Sequence, residues 1–239
     1  MTRSAGIVIG PEGAKIRRMF AGISKGYDRA NRVLSAGFDQ RWRRAAVRFA
    51  GAGPGHEVLD ICAGTGDLSL AFAQAGARVT GSDFCPEMLA LARRKSLGTN
   101  NPPRFLGGDA EQLPFPDDAF DITSVAFGIR NVQDPLRGLQ EMRRVTRPQG
   151  QVVVLEFTKP RAWGLGSLYG FYFRRVLPRL GSMLTRDRSG AYQYLHDSVM
   201  AFPEREQFLE LMGRSGLSSL RARILTCGIA AIYCGRVPE

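Results

Sequence analysis

The sequence predicts an α/β fold built on a doubly wound, mostly parallel sheet. Strand-like apolar runs alternate with helix-compatible segments between Val58 and Phe157. The first run, residues 58–61, ends in a turn of small residues, Ala63 to Gly66, with a helix start at Asp67. The valine-rich stretch 151–157 has the unbroken apolar character of a strand covered on both faces. Strand, tight turn and helix N-terminus together form the first βα unit of a nucleotide-type site in such a sheet.

Length and composition bound the rest. A chain of 239 residues, 44% hydrophobic and 23% charged, makes one large domain with an adequate core. It divides into an N-terminal helical cap (1–52), a cofactor-binding half (53–157), a helical insertion (158–202) and a closing helix and hairpin (203–239). No apolar run approaches the roughly 18 residues that a membrane-spanning helix needs. Arg3 is not followed by an apolar h-region, so a cytoplasmic protein without a signal peptide is expected. Cys62, Cys85, Cys227 and Cys234 lack C-x-x-C spacing, and only His56 and His196 could join them. Reduced cysteines and no metal are therefore expected. The net charge of +11 implies attraction to a polyanion: nucleic acid, an anionic membrane surface or an acidic substrate.

In chain order, residues 1–14 are a glycine-rich lead-in. From Lys15 onward, Ile16, Met19, Phe20, Ile23 and Tyr27 share one helical face. Ser35-Ala-Gly37 marks a stop, and a short helix from Arg41 ends near Gly51. Arg41, Arg43 and Arg44 read either as a solvated helix face or as a binding patch. In the glycine turn, Gly64 and Gly66 fit a dinucleotide pattern, but Ser69 stands at the third glycine position. An acid with two spaced glycines, here Asp60, Gly64 and Gly66, suits S-adenosylmethionine (SAM) instead, whose ammonium and sulfonium favour nearby carboxylates. An ordinary glycine turn remains the alternative.

The second strand, 77–83, ends in Asp83, about 20 residues after the turn, where an acid can take both ribose hydroxyls. Its alternative role is a helix N-cap ahead of Pro86. A short third strand, 104–106, leads to Asp109, an adenine ligand or a turn acid. The fourth strand, 121–127, ends in Gly128-Ile-Arg-Asn131 on the ligand side. Residues 135–147 form a helix, 148–150 a turn and 151–157 the fifth strand. The segment from Trp163 to Leu180 mixes aromatics and leucines with arginines. It is either a core-facing cap helix or an amphipathic surface for a greasy substrate or a bilayer interface. A helix over 203–215 precedes two strands, 219–225 and 229–235, separated by Thr226-Cys-Gly228. The closing antiparallel pair differs from dinucleotide folds, and a Rossmann-like, class I SAM-dependent methyltransferase fold of seven strands is expected.

With these residues in place, the chain resembles the ubiquinone/menaquinone biosynthesis C-methyltransferases, the demethylmenaquinone methyltransferase group, from about Met19 to Arg236. The likeness rests on Tyr27-Asp28 with Asn31, Leu59-Asp-Ile-Cys-Ala-Gly-Thr-Gly-Asp67, Leu113-Pro-Phe115 and Phe127-Gly-Ile-Arg-Asn131. Leu155-Glu-Phe157, Val176-Leu-Pro178 and Tyr194-Leu195 add to it. The resemblance implies SAM binding through Thr65, Asp83, Asp109, Ala110 and Ala126. Many relatives carry Asn where Asp109 stands and Ser where Ala126 stands. It also implies C-methylation of a polyprenylated quinol, demethylmenaquinol to menaquinol foremost, with the insertion as an apolar route for the isoprenoid tail.

The acceptor carbon is a poor nucleophile unless a neighbouring hydroxyl loses its proton. Arg130, on the ligand side and permanently charged, is the expected stabiliser of that oxyanion, with a salt bridge to the cap as its alternative. Tyr27, Asp28 and Asn31 are expected to close the cap and orient the substrate. His196 with Asp197 is a lesser candidate base. Peripheral attachment to an anionic membrane is expected, a homodimer is left open, and no nucleic-acid partner is expected. Another lipophilic acceptor is one alternative. A nicotinamide-dependent oxidoreductase is another, opposed by Ser69 and the terminal strand pair. A basic RNA-binding module is a third, opposed because the aromatics cluster with leucines.

Overall fold

In the computed structural model, which describes residues 11–159 and 190–239, seven strands form one sheet in the order β3-β2-β1-β4-β5-β7-β6. The strands are β1 (Glu57–Ile61), β2 (Arg78–Asp83), β3 (Arg104–Gly107), β4 (Phe120–Ala126), β5 (Thr146–Phe157), β6 (Ser218–Leu225) and β7 (Ala230–Arg236). The first five pair in parallel; β7 runs antiparallel to both β5 and β6. Strand order reverses between β1 and β4, so a crevice opens at their carboxyl ends, where ligands of such sheets bind.

Burial on both faces explains the apolar strands. On β5, Val152 and Val154 pack with α6 (Pro135–Val145) and α8 (Glu206–Arg214), through Leu139, Met142, Phe208 and Met212. Val153 and Leu155 point the other way, to Trp42, Ala46 and Val47 of α3 (Phe38–Ala50) and Leu68 and Phe72 of α4 (Asp67–Gln74). Between β2 and β3, α5 (Pro86–Ser96) starts with proline in its first turn.

Several elements differ from the sequence reading; α3 starts three residues before Arg41, and α8 starts three residues after the expected 203. The N-terminal helix α1 (Pro11–Ile23) begins four residues before Lys15, with Pro11 at its first position. A 3-10 turn, Ser24–Gly26, then starts a new helix, α2 (Tyr27–Leu34), so Tyr27, Asp28 and Asn31 lie on α2 rather than at the end of α1. Helix α6 stops at Val145, two residues short of the expected 147, and β5 begins at once. Pro148 disfavours a helical Arg147, and the Thr146 hydroxyl bonds back to the Met142 carbonyl at 2.6 Å. Of the 158–202 insertion, residues 160–189, with Trp163 to Leu180, lie outside the described residues; its C-terminal part forms α7 (Ala191–Ala201). Among the described residues, no helix is long and apolar enough to cross a membrane.

Candidate active site

Two cavities meet above the carboxyl ends of β1, β2 and β4. The first, about 260 Å³, is lined by Gly64, Asp83, Asp109, Ala110 and Ala126, with Phe84, Met88 and Asn131 among its other walls. Cys62, with φ of +54°, turns the chain out of β1, and Gly64 continues it at +56°. Asp83 is 7% exposed. One of its oxygens accepts the Gly64 N–H and the other the Cys85 N–H, both at 2.8 Å. Burial pushes its carboxyl up to about 6 against the pull of these backbone donors. Asp109 accepts the Glu111 N–H at 3.0 Å in the loop after β3. Buried acid, open turn backbone and apolar walls fit the ribose, amino-acid and adenine parts of SAM.

Three expected cofactor residues stand behind this wall instead of lining it. Asp60, 1% exposed, accepts from the hydroxyls of Ser69 and Ser124, joining α4 and β4 under the turn. Burial raises its carboxyl to about 7. Ser69, which breaks the dinucleotide pattern, is therefore the partner that Asp60 requires. Gly66 serves packing: a Cβ there would fall 2.9 Å from the Phe105 ring and 3.1 Å from the Ala92 methyl. Thr65 donates to Asp28 and accepts from Lys95.

That last contact relocates Asp28. Its carboxylate pairs with Lys95 at 2.6 Å, Lys95 pairs with Asp67 at 2.6 Å, and Gln40 bonds Asp67 at 2.8 Å. Burial works to raise the Asp67 carboxyl, but Lys95 outweighs it and holds it below its ordinary value. Asp28 lines neither cavity; it clamps α2 to the glycine turn and α5. The sequence reading of Asp28 as a substrate-orienting residue is corrected accordingly, because an acid beside a lysine and a threonine hydroxyl is already engaged.

The second cavity, about 170 Å³, lies between α1, α2, α3, α7 and the ends of β4 and β5. Phe20, Tyr27, Phe38, Trp42, Phe127, Phe157 and Tyr194 wall it, with Asn31, Arg43 and Arg130 as polar members. Phe20, Tyr27, Asn31 and Phe127 line both cavities and form their common wall. Tyr27 is held by a side-chain hydrogen bond to Asn31; burial raises its hydroxyl while the charges of Arg43 and Arg130 oppose this. Phe127 holds φ at +58°, a left-handed conformation that costs a non-glycine residue about 1–3 kcal/mol. Gly128 follows because the Cys62 Cβ occupies the space of any side chain there.

Arg130 donates through Nη1 to the Phe127 carbonyl at 2.6 Å and to Glu156 Oε1 at 2.8 Å. The pair is nearly dry, with side chains 6% and 1% exposed. The expected salt-bridge alternative thus exists, but its acid is on β5 and not on the cap, and Arg130 still lines the cavity. Burial raises the Glu156 carboxyl, with Arg130 pulling it back. Arg43 was legible only as one of three helix arginines. It alone is buried, paired with Asp39 at 3.1 Å, whereas Arg41 and Arg44 are exposed. An acid four residues before it, and Trp42 and Ala46 on the buried face, were the available signals. Glu156 had a clearer one, an acid inside an otherwise apolar, doubly covered strand. His196 pairs with Asp197 at 2.9 Å and neither lines either of these two cavities. Among the described residues, no cluster of three metal-type side chains occurs.

Comparison with known proteins fits this geometry. The ubiE/COQ5 methyltransferase family matches residues 10–236. The ubiquinone/menaquinone biosynthesis C-methyltransferase UbiE of Bdellovibrio bacteriovorus is 46% identical over 93% of this chain and 95% of its own. The demethylmenaquinone methyltransferase of Thermus thermophilus is 47% identical over 92% of this chain and 100% of its own. Among solved structures, a SAM-dependent methyltransferase from Thermotoga maritima aligns with a TM-score of 0.64 at 18% identity, over 92% of this chain and 100% of that one. The Haemonchus contortus phosphoethanolamine N-methyltransferase 2, solved with SAM, gives 0.60 at 15% identity over 82% of this chain and 52% of that one. These likenesses show the class I SAM-dependent methyltransferase fold.

Proposed function

The chain belongs to the ubiE/COQ5 methyltransferase family, and we propose that it methylates a ring carbon of a polyprenylated quinol with SAM as donor. The observation that carries this reading is the pair of adjoining cavities with opposite chemistry. One has a buried acid and turn backbone; the other has aromatic walls and two buried guanidiniums. The wall they share, Phe20, Tyr27, Asn31 and Phe127, is where donor and acceptor would meet. The names of the relatives favour demethylmenaquinol as acceptor and menaquinol as product.

SAM supplies an electrophilic methyl on a positive sulfur. The chain's own groups do the rest. Asp83 accepts hydrogen bonds from the ribose hydroxyls, and Asp109 with the backbone at Ala110 receives the adenine edge. The aromatic walls hold the acceptor ring flat against Phe127 and exclude water, which strengthens every charge inside. Arg130 stabilises the ring oxyanion, whose negative charge makes the neighbouring carbon nucleophilic. Glu156 and the Phe127 carbonyl fix the guanidinium in place, so little reorganisation is needed when charge develops. Tyr27 and Asn31, bonded to each other, orient the ring at the boundary. Holding carbon, methyl and sulfur in line supplies much of the acceleration.

The +11 charge favours peripheral attachment to an anionic leaflet. The aromatic and arginine-rich stretch from Trp163 to Leu180, outside the described residues, supplies the apolar part of that attachment and the tail's route. Calorimetric titration tests the donor assignment: SAM binds and NADH does not. Tight NADH binding with no SAM binding would refute it.

A further inference from the structure

Two arginines face the aromatic cavity, and they are built alike. Arg43 comes from α3, Arg130 from the turn after β4. Arg43 is 8% exposed as a residue, and the Arg130 side chain 6%. Each is tethered through Nη1 to one carboxylate and one carbonyl: Arg43 to Asp39 Oδ2 at 3.1 Å and the Asp39 carbonyl at 3.3 Å, Arg130 to Glu156 and the Phe127 carbonyl. Each guanidinium lies over an aromatic face: Arg43 5.3 Å from the Phe127 ring centre, Arg130 5.5 Å from that of Phe157. Those two rings are themselves packed 4.5 Å apart. One aromatic pair therefore carries a guanidinium beside each member.

Both arginines also keep a donor nitrogen in reserve. Each uses Nη1 for its protein partners, and the Nη2 of neither makes a hydrogen bond among the described residues. A guanidinium nitrogen that lines a cavity offers its N–H groups to whatever fills it. Two such donors, on matched arginines lining one cavity, point to a ligand with two separate acceptor atoms.

We infer that Arg43 is a second substrate-binding residue, which takes the oxygen at the far side of the acceptor ring while Arg130 takes the one beside the reacting carbon. This rests on the quinol reading above and deepens it: the site selects a ring with oxygens at opposite positions over one with a single oxygen. Arg43 does not stabilise the reacting oxyanion; it fixes the ring's rotation within its plane, so that the intended carbon faces the donor cavity. Asp39 plays for Arg43 the part that Glu156 plays for Arg130, holding the fork by one nitrogen and leaving the remaining donors to the ligand.

The test compares 1,4-dihydroxynaphthalene with 1-naphthol, kept reduced, and reads binding through the fluorescence of Trp42, which lines the same cavity. The variant is the pair Asp39→Asn with Arg43→Gln, which removes both charges together and avoids a lone buried carboxylate. SAM affinity and thermal stability report its fold, and Arg44→Met, exposed on the same helix, is the control. Wild type and Arg44→Met should prefer the diol by about ten- to hundredfold, the scale of one charge-assisted hydrogen bond. The paired variant should bind both compounds alike, close to the wild-type affinity for 1-naphthol. An undiminished preference for the diol in the paired variant would overturn the role of Arg43. Equal loss of both compounds would assign it to packing and overturn the inference equally. Wild type that binds neither compound would overturn the quinol reading itself.

Discussion

Glu156→Gln and Arg130→Met should differ in a way that only a dry ion pair produces. The two side chains are 1% and 6% exposed and meet at 2.8 Å. Glu156 Oε2 and Arg130 Nε have no further partner among the described residues. Breaking a buried pair by removing one partner typically costs about 3–5 kcal/mol. Glutamine keeps an acceptor for the Phe157 N–H, which bonds Glu156 Oε1 at 2.8 Å, so the low end, about 3 kcal/mol, is expected. A guanidinium cannot shed its proton, so the charge that Glu156→Gln leaves behind cannot escape by titration. Arg130→Met leaves the carboxyl instead, and that group can escape by protonation. Its folded pKa is already raised by burial and rises further without Arg130. A carboxyl raised in the folded state favours folding below its unfolded pKa and loses that contribution as pH rises through the folded value. The cost of Arg130→Met should therefore grow with pH, by at most about 1.4 kcal/mol per unit. The double variant should cost about 2 kcal/mol or more below the sum of the singles. Urea unfolding at pH 6, 7 and 8 measures all three. Additive costs, or a Glu156→Gln cost under about 1 kcal/mol, would refute the buried-pair account.

Asp83→Ala should weaken SAM at least about tenfold in a folded protein, since charge-assisted bonds contribute about 1.5–3 kcal/mol each; unchanged affinity by calorimetry would remove Asp83 from the site. Because burial raises Asp83 to about 6, SAM affinity should be flat above about pH 7 and fall below about pH 6 as the acceptor is protonated, by up to about tenfold per unit. Asp83→Asn should flatten that profile. Arg130→Met should lower turnover by about 10² or more with SAM affinity near wild type; normal turnover of a soluble quinol analogue would sink the oxyanion assignment. Co-sedimentation with anionic vesicles should fall as salt rises without vanishing. Replacing Trp163, Phe171 and Phe173 by serine should remove the salt-resistant part and harm long-tailed quinols more than tail-less ones. Equal loss on both would end the membrane reading of that segment.

The sheet was readable because its signals are local. Residues 58–61, the glycine turn and Asp83 each carry their information within a few positions, and six of the seven strands fall within one residue of their expected starts. The exception, β5, begins five residues early, where Thr146 bonds back to α6 and Pro148 blocks the helix. Gly64, Asp83, Asp109, Ala110 and Ala126 share one cavity. What the sequence hid depends on distant partners. Asp28 looks like an orienting acid until Lys95, far along the chain, takes it. Arg43 looks like its neighbours Arg41 and Arg44 until helix phase buries it alone. Asp60 has the right type and position for a ligand, yet Ser69 and Ser124 enclose it.

Carbon methylation of a reduced ring across the Tyr27–Phe127 boundary leaves a product that can be followed atom by atom. The most direct measurement incubates the purified chain with SAM carrying a deuterated methyl and a short-chain demethylmenaquinone, with and without dithionite, and follows the product by mass spectrometry and proton NMR. The labelled methyl should appear on the ring carbon, with loss of the ring proton signal, only under reduction, and should nearly disappear in Arg130→Met. Label on an oxygen, transfer to the oxidised quinone at the same rate, or no transfer from a folded, SAM-binding protein would contradict the proposed function.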